Sequence, residues 1–272
     1  MTLPFGVVDV PASALLALAG VVAAAGVARA GARRRGLPVR RTIDGLFLMV
    51  VVGLLVGHLA DVVLYRMAAL RSDWRELAPS SGGVCTLGAV LGAVAVAAVW
   101  FRRAPGGWLA HADNLVIALS LGWGIGRIGC FIDHDHLGRL TDVPFAVAMP
   151  GGRRHDLGLY EAALALFIFV VCVAVCLHRH APRAPGRLLA IAALLFGIGR
   201  FAIECVRGDD LELLGRHSDP RVFGLTVVQY AAVALVALGA LLWRRSASDM
   251  DVAVFGEGSA IAGDRARKSG LV

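Results

Sequence analysis

The fold is decided by an apolar stretch at residues 44–65, which has the sequence DGLFLMVVVGLLVGHLADVVLY. A helix of this length spans the hydrocarbon core of a lipid bilayer, which is about 30 Å thick. Similar stretches recur along the chain. We predict membrane-spanning helices over about residues 11–31, 44–65, 83–101, 112–132, 160–178, 187–205 and 222–243. The sequence therefore predicts an all-α, polytopic membrane helix bundle of about seven transmembrane helices within residues 1–245.

Composition supports a membrane protein and argues against a nucleic-acid-binding one. Hydrophobic residues make up 58% of the 272 residues and charged residues only 17%, whereas soluble domains have about 25% charged residues. The net charge of +7 comes from arginines in short loops, where they orient helices and contact anionic lipid headgroups. The five cysteines show no CxxC spacing. We expect membrane lipids as partners, no nucleic acid, no disulfide framework, and neither a metal nor another cofactor.

The charges between the apolar stretches predict the topology. Loops 29–41, 102–110 and 179–187 are rich in arginine, and Arg244-Arg245 follow the last stretch, whereas loops 66–82, 133–159 and 206–221 mix arginine with acidic residues. Basic loops stay in the cytoplasm. We therefore predict an N-terminus outside (periplasmic) and a C-terminus in the cytoplasm, with a disordered cytoplasmic tail over residues 246–272.

Arginines inside two predicted helices indicate an anion site. A charged side chain at the centre of a bilayer costs roughly 2.5–3.5 kcal/mol on insertion scales, so it normally has a function. Arg127 lies near the outer end of the fourth stretch, and Arg200 in the sixth stretch is four residues before Glu204 and on the same helix face. Guanidinium groups suit phosphate. His58 and Asp61 in the second stretch are either structural residues or part of a proton-transfer site.

Five motifs resemble one bacterial family. They are, in chain order, GRIGCFI at 126–132, GRLTDVPFAV at 138–147, RHDLGLYE at 154–161, GIGRFAIE at 197–204 and GLTVVQ at 224–229. Their order and spacing are similar to those of the prolipoprotein diacylglyceryl transferases, whose signature has the form GRIGNFINGE-xxGRxTDxPWAVxFP. The resemblance extends over about residues 1–245.

The resemblance implies a seven-span enzyme of the bacterial cytoplasmic (inner) membrane. Such an enzyme transfers the diacylglyceryl group of phosphatidylglycerol to the lipobox cysteine in a prolipoprotein signal peptide and releases glycerol phosphate, which is the first step of lipoprotein maturation. By the same resemblance, Arg127 and Arg200 hold the headgroup and stabilise the leaving phosphate, and Glu204 positions Arg200. The loop residues Gly138 and Arg139, with Tyr160, complete the expected phosphatidylglycerol site.

The chain departs from the family pattern at several polar positions. Leu87, Cys130 and Phe196 stand where the family has histidine, asparagine and tyrosine, and Asp135 replaces a glutamate. The acceptor thiol must be ionised before it attacks, so another group has to serve as the base. We expect catalytic roles for Asp135 and His58. The candidate bases are His58, Asp61, His134, Asp135, His136 and His155.

These departures leave two alternatives beside diacylglyceryl transfer to a lipobox cysteine. One is a catalytically impaired paralogue that binds phospholipid without transferring it, which the leucine and phenylalanine substitutions favour. The other is a transferase that uses the same donor with a different acceptor, such as a lipid or glycan hydroxyl. A transporter built from inverted halves is not indicated, because the sequence shows no sustained internal repeat.

Overall fold

The computed structural model describes residues 2–5, 8–78, 83–178, 184–208 and 221–268, with side chains described within 11–78, 83–178, 184–208 and 221–247. Seven helices of 15 or more residues form the bundle within these ranges, and the last of them is apolar over Val227–Ala247. They are α1 (Ala12–Arg34), α2 (Val39–Tyr65), α4 (Thr86–Trp100), α5 (Trp108–Asp133), α6 (Leu157–Leu177), α7 (Arg187–Cys205) and α8 (Val227–Lys268). Within the described ranges, six of them are long and apolar enough to cross a membrane, whereas α4 has only 15 residues. The prediction of a polytopic all-α membrane bundle is confirmed.

Helix α5 is the central element, packed against α1, α6 and α7. Glycines bring α1 and α5 together: a Cβ atom added at Gly20 would lie 2.4 Å from the carbonyl oxygen of Gly122. Helices α2 and α4 also approach closely at a glycine, since a Cβ atom added at Gly88 would lie 2.5 Å from the Cβ of Ala60. Small residues allow this close approach, which is a main source of helix association in lipid.

Asp113 on α5 fixes where α7 begins. Its Oδ2 accepts a hydrogen bond from the backbone N–H of Gly186 and its Oδ1 one from Leu189, both at 2.8 Å. The side chain is buried. The first N–H groups of a helix lack intrahelical partners and carry partial positive charge, so a carboxylate there satisfies two donors and complements the helix dipole.

We expect Asp113→Asn to destabilise the bundle by about 2–3 kcal/mol, since hydrogen bonds to a charged group are worth about 1.5–3 kcal/mol each. The amide keeps one acceptor oxygen but turns an NH2 group towards the second backbone donor. Thermal unfolding in detergent, followed by tryptophan fluorescence, measures this loss. An Asp44→Asn variant is the control, because the Arg40–Asp44 pair is exposed. Equal melting temperatures for the two variants would contradict the prediction.

Short elements cover one end of the bundle. The predicted loop 133–159 is a three-stranded antiparallel sheet in the order β3–β5–β4, and strands β1 and β2 precede α1. The loop 66–82 holds a short helix, α3, and a 3-10 turn; its residues 79–82 lie outside the described part, as do 209–220 of the loop 206–221. The strands and short helices are β1 (Thr2–Phe5), β2 (Val8–Pro11), α3 (Met67–Ser72), the 3-10 turn (Trp74–Leu77), β3 (Leu137–Leu140), β4 (Val147–Met149), β5 (Gly152–Asp156), β6 (Arg221–Val222) and β7 (Leu225–Thr226).

The backbone of α8 continues to Lys268, past the predicted end of the last span at residue 243. The side chains of 248–272 and the backbone of 269–272 lie outside the described part. A disordered tail over 246–272 therefore stays a prediction, as do the outside position of the N-terminus and the cytoplasmic position of the C-terminus.

Candidate functional site

Arg127 is the residue around which the site is built. It lies in the last two turns of α5 and is 6% exposed. Its Nε lies 2.9 Å from Glu161, whereas Nη1 lies 3.0 Å from Nε2 of His136 and Nη2 donates to Thr86 at 3.2 Å. Nη1 also lies 3.6 Å from the sulfur of Cys130. Among the described residues, the two terminal nitrogens thus contact neutral groups that a phosphate oxygen can displace.

Glu161 links the two arginines that the sequence singled out. It is the fifth residue of α6 and is 1% exposed. Its Oε2 lies 2.9 Å from Nε of Arg127 and its Oε1 3.7 Å from Nε of Arg200. Neither carboxylate oxygen has a well-directed hydrogen bond within the described residues, so the attraction is mainly between charges. Such a carboxylate holds two guanidinium groups side by side at the same end of the bundle.

Glu204 holds Arg200 from the other side, which confirms the predicted pairing at i and i+4. The pair joins Nη1 of Arg200 to Oε2 of Glu204 at 2.5 Å. Oε1 of the same carboxylate accepts from Arg207 at 2.8 Å and from the hydroxyl of Thr226 at 3.2 Å. Glu204 is fully buried, and each of its oxygens accepts a hydrogen bond from a neighbouring residue.

The chain reverses directly after α5 and returns over Arg127. His134 ends the helix with a left-handed backbone (φ 49°), and the N–H of Asp135 donates back to the carbonyl oxygen of Cys130 at 3.3 Å. This turn brings His136 onto Arg127 and pairs Nδ1 of His136 with the carboxylate of Asp135. The donor atoms of Cys130, Asp135 and His136 lie within 4.8 Å of one another. A metal cation there would be repelled by the guanidinium of Arg127.

The sheet of loop 133–159 is joined to the end of α7. Gly138 forms a β-bridge with Arg207, and the backbone N–H of Arg139 donates to Val206 at 2.9 Å. The side chain of Arg139 donates from Nε to the carbonyl oxygen of Arg207 at 3.2 Å. Gly138 has no room for a side chain, since an added Cβ would lie 2.5 Å from the carbonyl oxygen of Val206. These contacts fix the loop above both arginines.

Because the carbonyl oxygen of Val206 is a backbone atom and cannot turn aside, Gly138→Ala is expected to push the sheet away from α7, at a cost of about 1–3 kcal/mol for overpacking. We expect faster proteolysis within 133–159 and a loss of activity, while the variant still inserts into the membrane. Limited proteolysis in detergent measures the first effect. Gly26→Ala is the matched control, because an added Cβ there has no atom within 4 Å. Protection equal to that of the wild type would contradict the prediction.

Two predicted site residues, His58 and Tyr160, have hydrogen-bond contacts with groups other than the two arginines. His58 is buried on α2 and its Nδ1 lies 3.1 Å from the carbonyl oxygen of Gly83, in the segment that leads into α4. The hydroxyl of Tyr160 lies 2.5 Å from Nδ1 of His155, and its ring meets the edge of Phe145. These contacts are with residues other than the two arginines, and roles in catalysis for His58 and in donor binding for Tyr160 stay predictions.

Comparison with known proteins identifies the family. The chain matches the model of the family described as prolipoprotein diacylglyceryl transferase over residues 2–245. The chain belongs to that family. It is 31% identical to a phosphatidylglycerol–prolipoprotein diacylglyceryl transferase of Geobacter sulfurreducens, over 73% of this chain and 78% of the relative. The enzyme of the same name from Chromohalobacter salexigens is 30% identical, over 85% and 86%. That of Solidesulfovibrio magneticus is 32% identical, over 77% and 79%.

Sequence reasoning missed the contacts of Glu161 with both arginines and placed His136 only among several candidate bases. A signal for Glu161 was present, because it is a carboxylate at the end of the RHDLGLYE motif and within a predicted span, where a charge normally has a partner. No comparable signal existed for His136, since its approach to Arg127 depends on the left-handed turn at His134.

Proposed function

We propose that the protein transfers the diacylglyceryl group of phosphatidylglycerol to the lipobox cysteine of a prolipoprotein, in the bacterial cytoplasmic membrane. One observation carries the proposal: the buried Arg127 turns its two terminal nitrogens towards neutral partners, next to Arg200. Phosphate of the donor can replace those partners and form a two-pronged contact with the guanidinium. The relatives' names, which specify phosphatidylglycerol and prolipoprotein, support the choice of substrates.

The site supports transfer through stabilisation of the leaving group. When the bond between the glycerol carbon and the phosphate oxygen breaks, negative charge grows on that oxygen. Arg127 and Arg200 are held in place by Glu161 and Glu204 before the reaction begins. Preorganised charges in a site of low dielectric constant stabilise the transition state without having to reorganise. The cysteine thiolate attacks from the side opposite the phosphate, and glycerol phosphate leaves.

The position of the site agrees with a substrate that arrives by secretion. Arg127, Glu161, Arg200 and Thr86 are all near the end of the bundle that carries the loops 66–82 and 133–159. The arginine-rich loops lie at the opposite helix ends. With basic loops in the cytoplasm, the site faces the outer leaflet, the N-terminus is outside and the C-terminus is inside. A prolipoprotein signal peptide then reaches the site after its cysteine has crossed the membrane.

Complementation tests the proposal directly. A bacterial strain depleted of its own transferase is supplied with this chain, and a reporter lipoprotein is analysed for thioether-linked diacylglycerol by mass spectrometry. We expect growth and a modified reporter. An unmodified reporter, with the protein shown to be in the membrane, would overturn the proposal. Phosphatidylglycerol bound to the purified protein and unchanged by a lipobox peptide would instead support the impaired paralogue.

A further inference from the structure

The two partners of the His136 ring define which of its nitrogens carries the proton. Its Nε2 lies 3.0 Å from Nη1 of Arg127, and its Nδ1 pairs with the carboxylate of Asp135. A guanidinium only donates hydrogen bonds, so Nε2 accepts from Arg127 and carries no proton. Nδ1 then carries the proton of the neutral ring and donates a hydrogen bond to the carboxylate of Asp135. The lone pair of Nε2 therefore lies against Arg127 and becomes free when donor phosphate binds that guanidinium.

We propose that His136 is the general base that removes the proton from the acceptor thiol, with Asp135 as its positioning residue. The inference rests on the proposed function and assigns the base of that same site. An imidazole held by a carboxylate can act as a general base. His136 lies at the open edge of the site, with 27% of its side chain exposed, where it can meet a thiol that arrives at the glycerol carbon.

The neighbourhood of Leu87 agrees with this assignment. The family pattern has a histidine at that position, and the residue before it, Thr86, accepts a hydrogen bond from Nη2 of Arg127. His136 contacts Nη1 of the same guanidinium. The chain thus has leucine at the position of the family's histidine, while His136 brings an imidazole to Arg127 from the loop that follows α5.

The step has a defined order of proton and bond changes. Phosphate of the donor draws Arg127 away from Nε2, which frees the lone pair. The thiol proton passes to Nε2, a bond forms between the sulfur and the glycerol carbon, and the bond from that carbon to the phosphate oxygen breaks. The electron pair stays on the phosphate oxygen beside Arg127 and Arg200. His136 then gives its proton to the departing glycerol phosphate.

The groups that face His136 set its titration. Burial lowers the pKa of His136, hydrogen bonds shared with Asp135 and Cys130 raise it, and the positive charge of Arg127 lowers it; together they leave the pKa above its usual value of 6.5. A base works only when deprotonated. Activity is therefore lost as the pH falls through this raised pKa, and Asp135→Asn moves that acidic limb to lower pH because it removes a group that holds the proton.

His136→Gln tests the assignment in the full-length protein, reconstituted with phosphatidylglycerol and a lipobox peptide. At pH 7 we expect transfer to fall about 100-fold or more, the usual contribution of a general base. Phosphatidylglycerol binding should change by less than about threefold, because glutamine can still accept from Arg127. At a pH of about 9.5 the acceptor thiol, with a pKa of about 8.5, ionises unaided. There the deficit should shrink to below about tenfold.

His134→Asn is the matched control in the same turn. Its ring pairs with Asp156 at 2.8 Å, and asparagine tolerates the left-handed backbone of this position, so transfer should be retained. A His136→Gln deficit below about threefold at pH 7, or one that is the same at both pH values, would overturn the assignment alone. A wild-type protein that binds phosphatidylglycerol and transfers nothing would overturn the proposed function with it.

Discussion

Arg127→Lys lowers diacylglyceryl transfer by about 100- to 1,000-fold, the usual effect of removing one preorganised donor to a developing negative charge. Lysine keeps the positive charge but has a single nitrogen. It therefore cannot contact Glu161 and present two further donors to phosphate, as Arg127 does through Nε, Nη1 and Nη2. The rate of appearance of thioether-linked lipid on a lipobox peptide measures the effect.

The same substitution at Arg187 is the control for this prediction. Arg187 begins α7, the helix of Arg200, and stacks over the ring of Trp243 at 3.3 Å. Lysine keeps a cation over that ring, and the position is at the end of α7 remote from Arg200, so we expect near-normal transfer. Equal rates for Arg127→Lys and the wild type would show that the headgroup is held elsewhere.

Glu161→Gln has the largest expected effect on stability. Removing one partner of a buried ion pair costs about 3–5 kcal/mol, because the remaining charge stays buried without compensation. Here one carboxylate serves both Arg127 and Arg200. We expect the melting temperature in detergent to fall by about 10 °C, at about 2–4 °C per kcal/mol for a chain of this size. Transfer should fall as well, since Arg127 loses the carboxylate that holds its Nε.

Phosphatidylglycerol provides a second measurement for this variant. A bound phosphate neutralises the two arginines in place of the lost carboxylate, so the lipid should restore more of the melting temperature of Glu161→Gln than it adds to the wild type. Asp44→Asn, which removes one partner of the exposed Arg40–Asp44 pair, should melt like the wild type. A Glu161→Gln protein that is as stable as this control would contradict the prediction.

The spans and the Arg200–Glu204 pair could be predicted because both depend on neighbours along the chain. Apolar length identifies a transmembrane helix, and a spacing of four residues places two side chains on one helix face. Arg127 and Arg200 could be predicted as site residues because a charge within a membrane span is costly and so normally has a function. The structure brings the two together at Glu161.

Contacts between separate segments could not be predicted in the same way. Glu161 neutralises residues on two other helices, and Asp113 caps a helix that begins 74 residues later, at Arg187. The sheet within 133–159 was expected only as a polar loop. Its strands have only three to five residues each, LGRL, VAM and GRRHD, and their pairing depends on the turn after α5 and on the end of α7. Hydrophobic periodicity carries no information on such tertiary contacts.

The hydrogen bonds from Gly186 and Leu189 to Asp113, here called the clamp, also determine how far along the bundle the two arginines lie. Helices α5 and α7 run in the same direction from this clamp. Arg127 lies about 21 Å beyond Asp113 and Arg200 about 20 Å beyond Arg187, at about 1.5 Å per residue. Two nearly equal lengths, measured from one shared origin, bring both guanidiniums to the level of Glu161. One residue inserted into α5 or α7, between the clamp and the arginine, would shift that arginine by about 1.5 Å along the helix axis and rotate it by about 100° around it. On the proposed function, the depth at which the donor phosphate is held is thus set at the opposite end of the bundle.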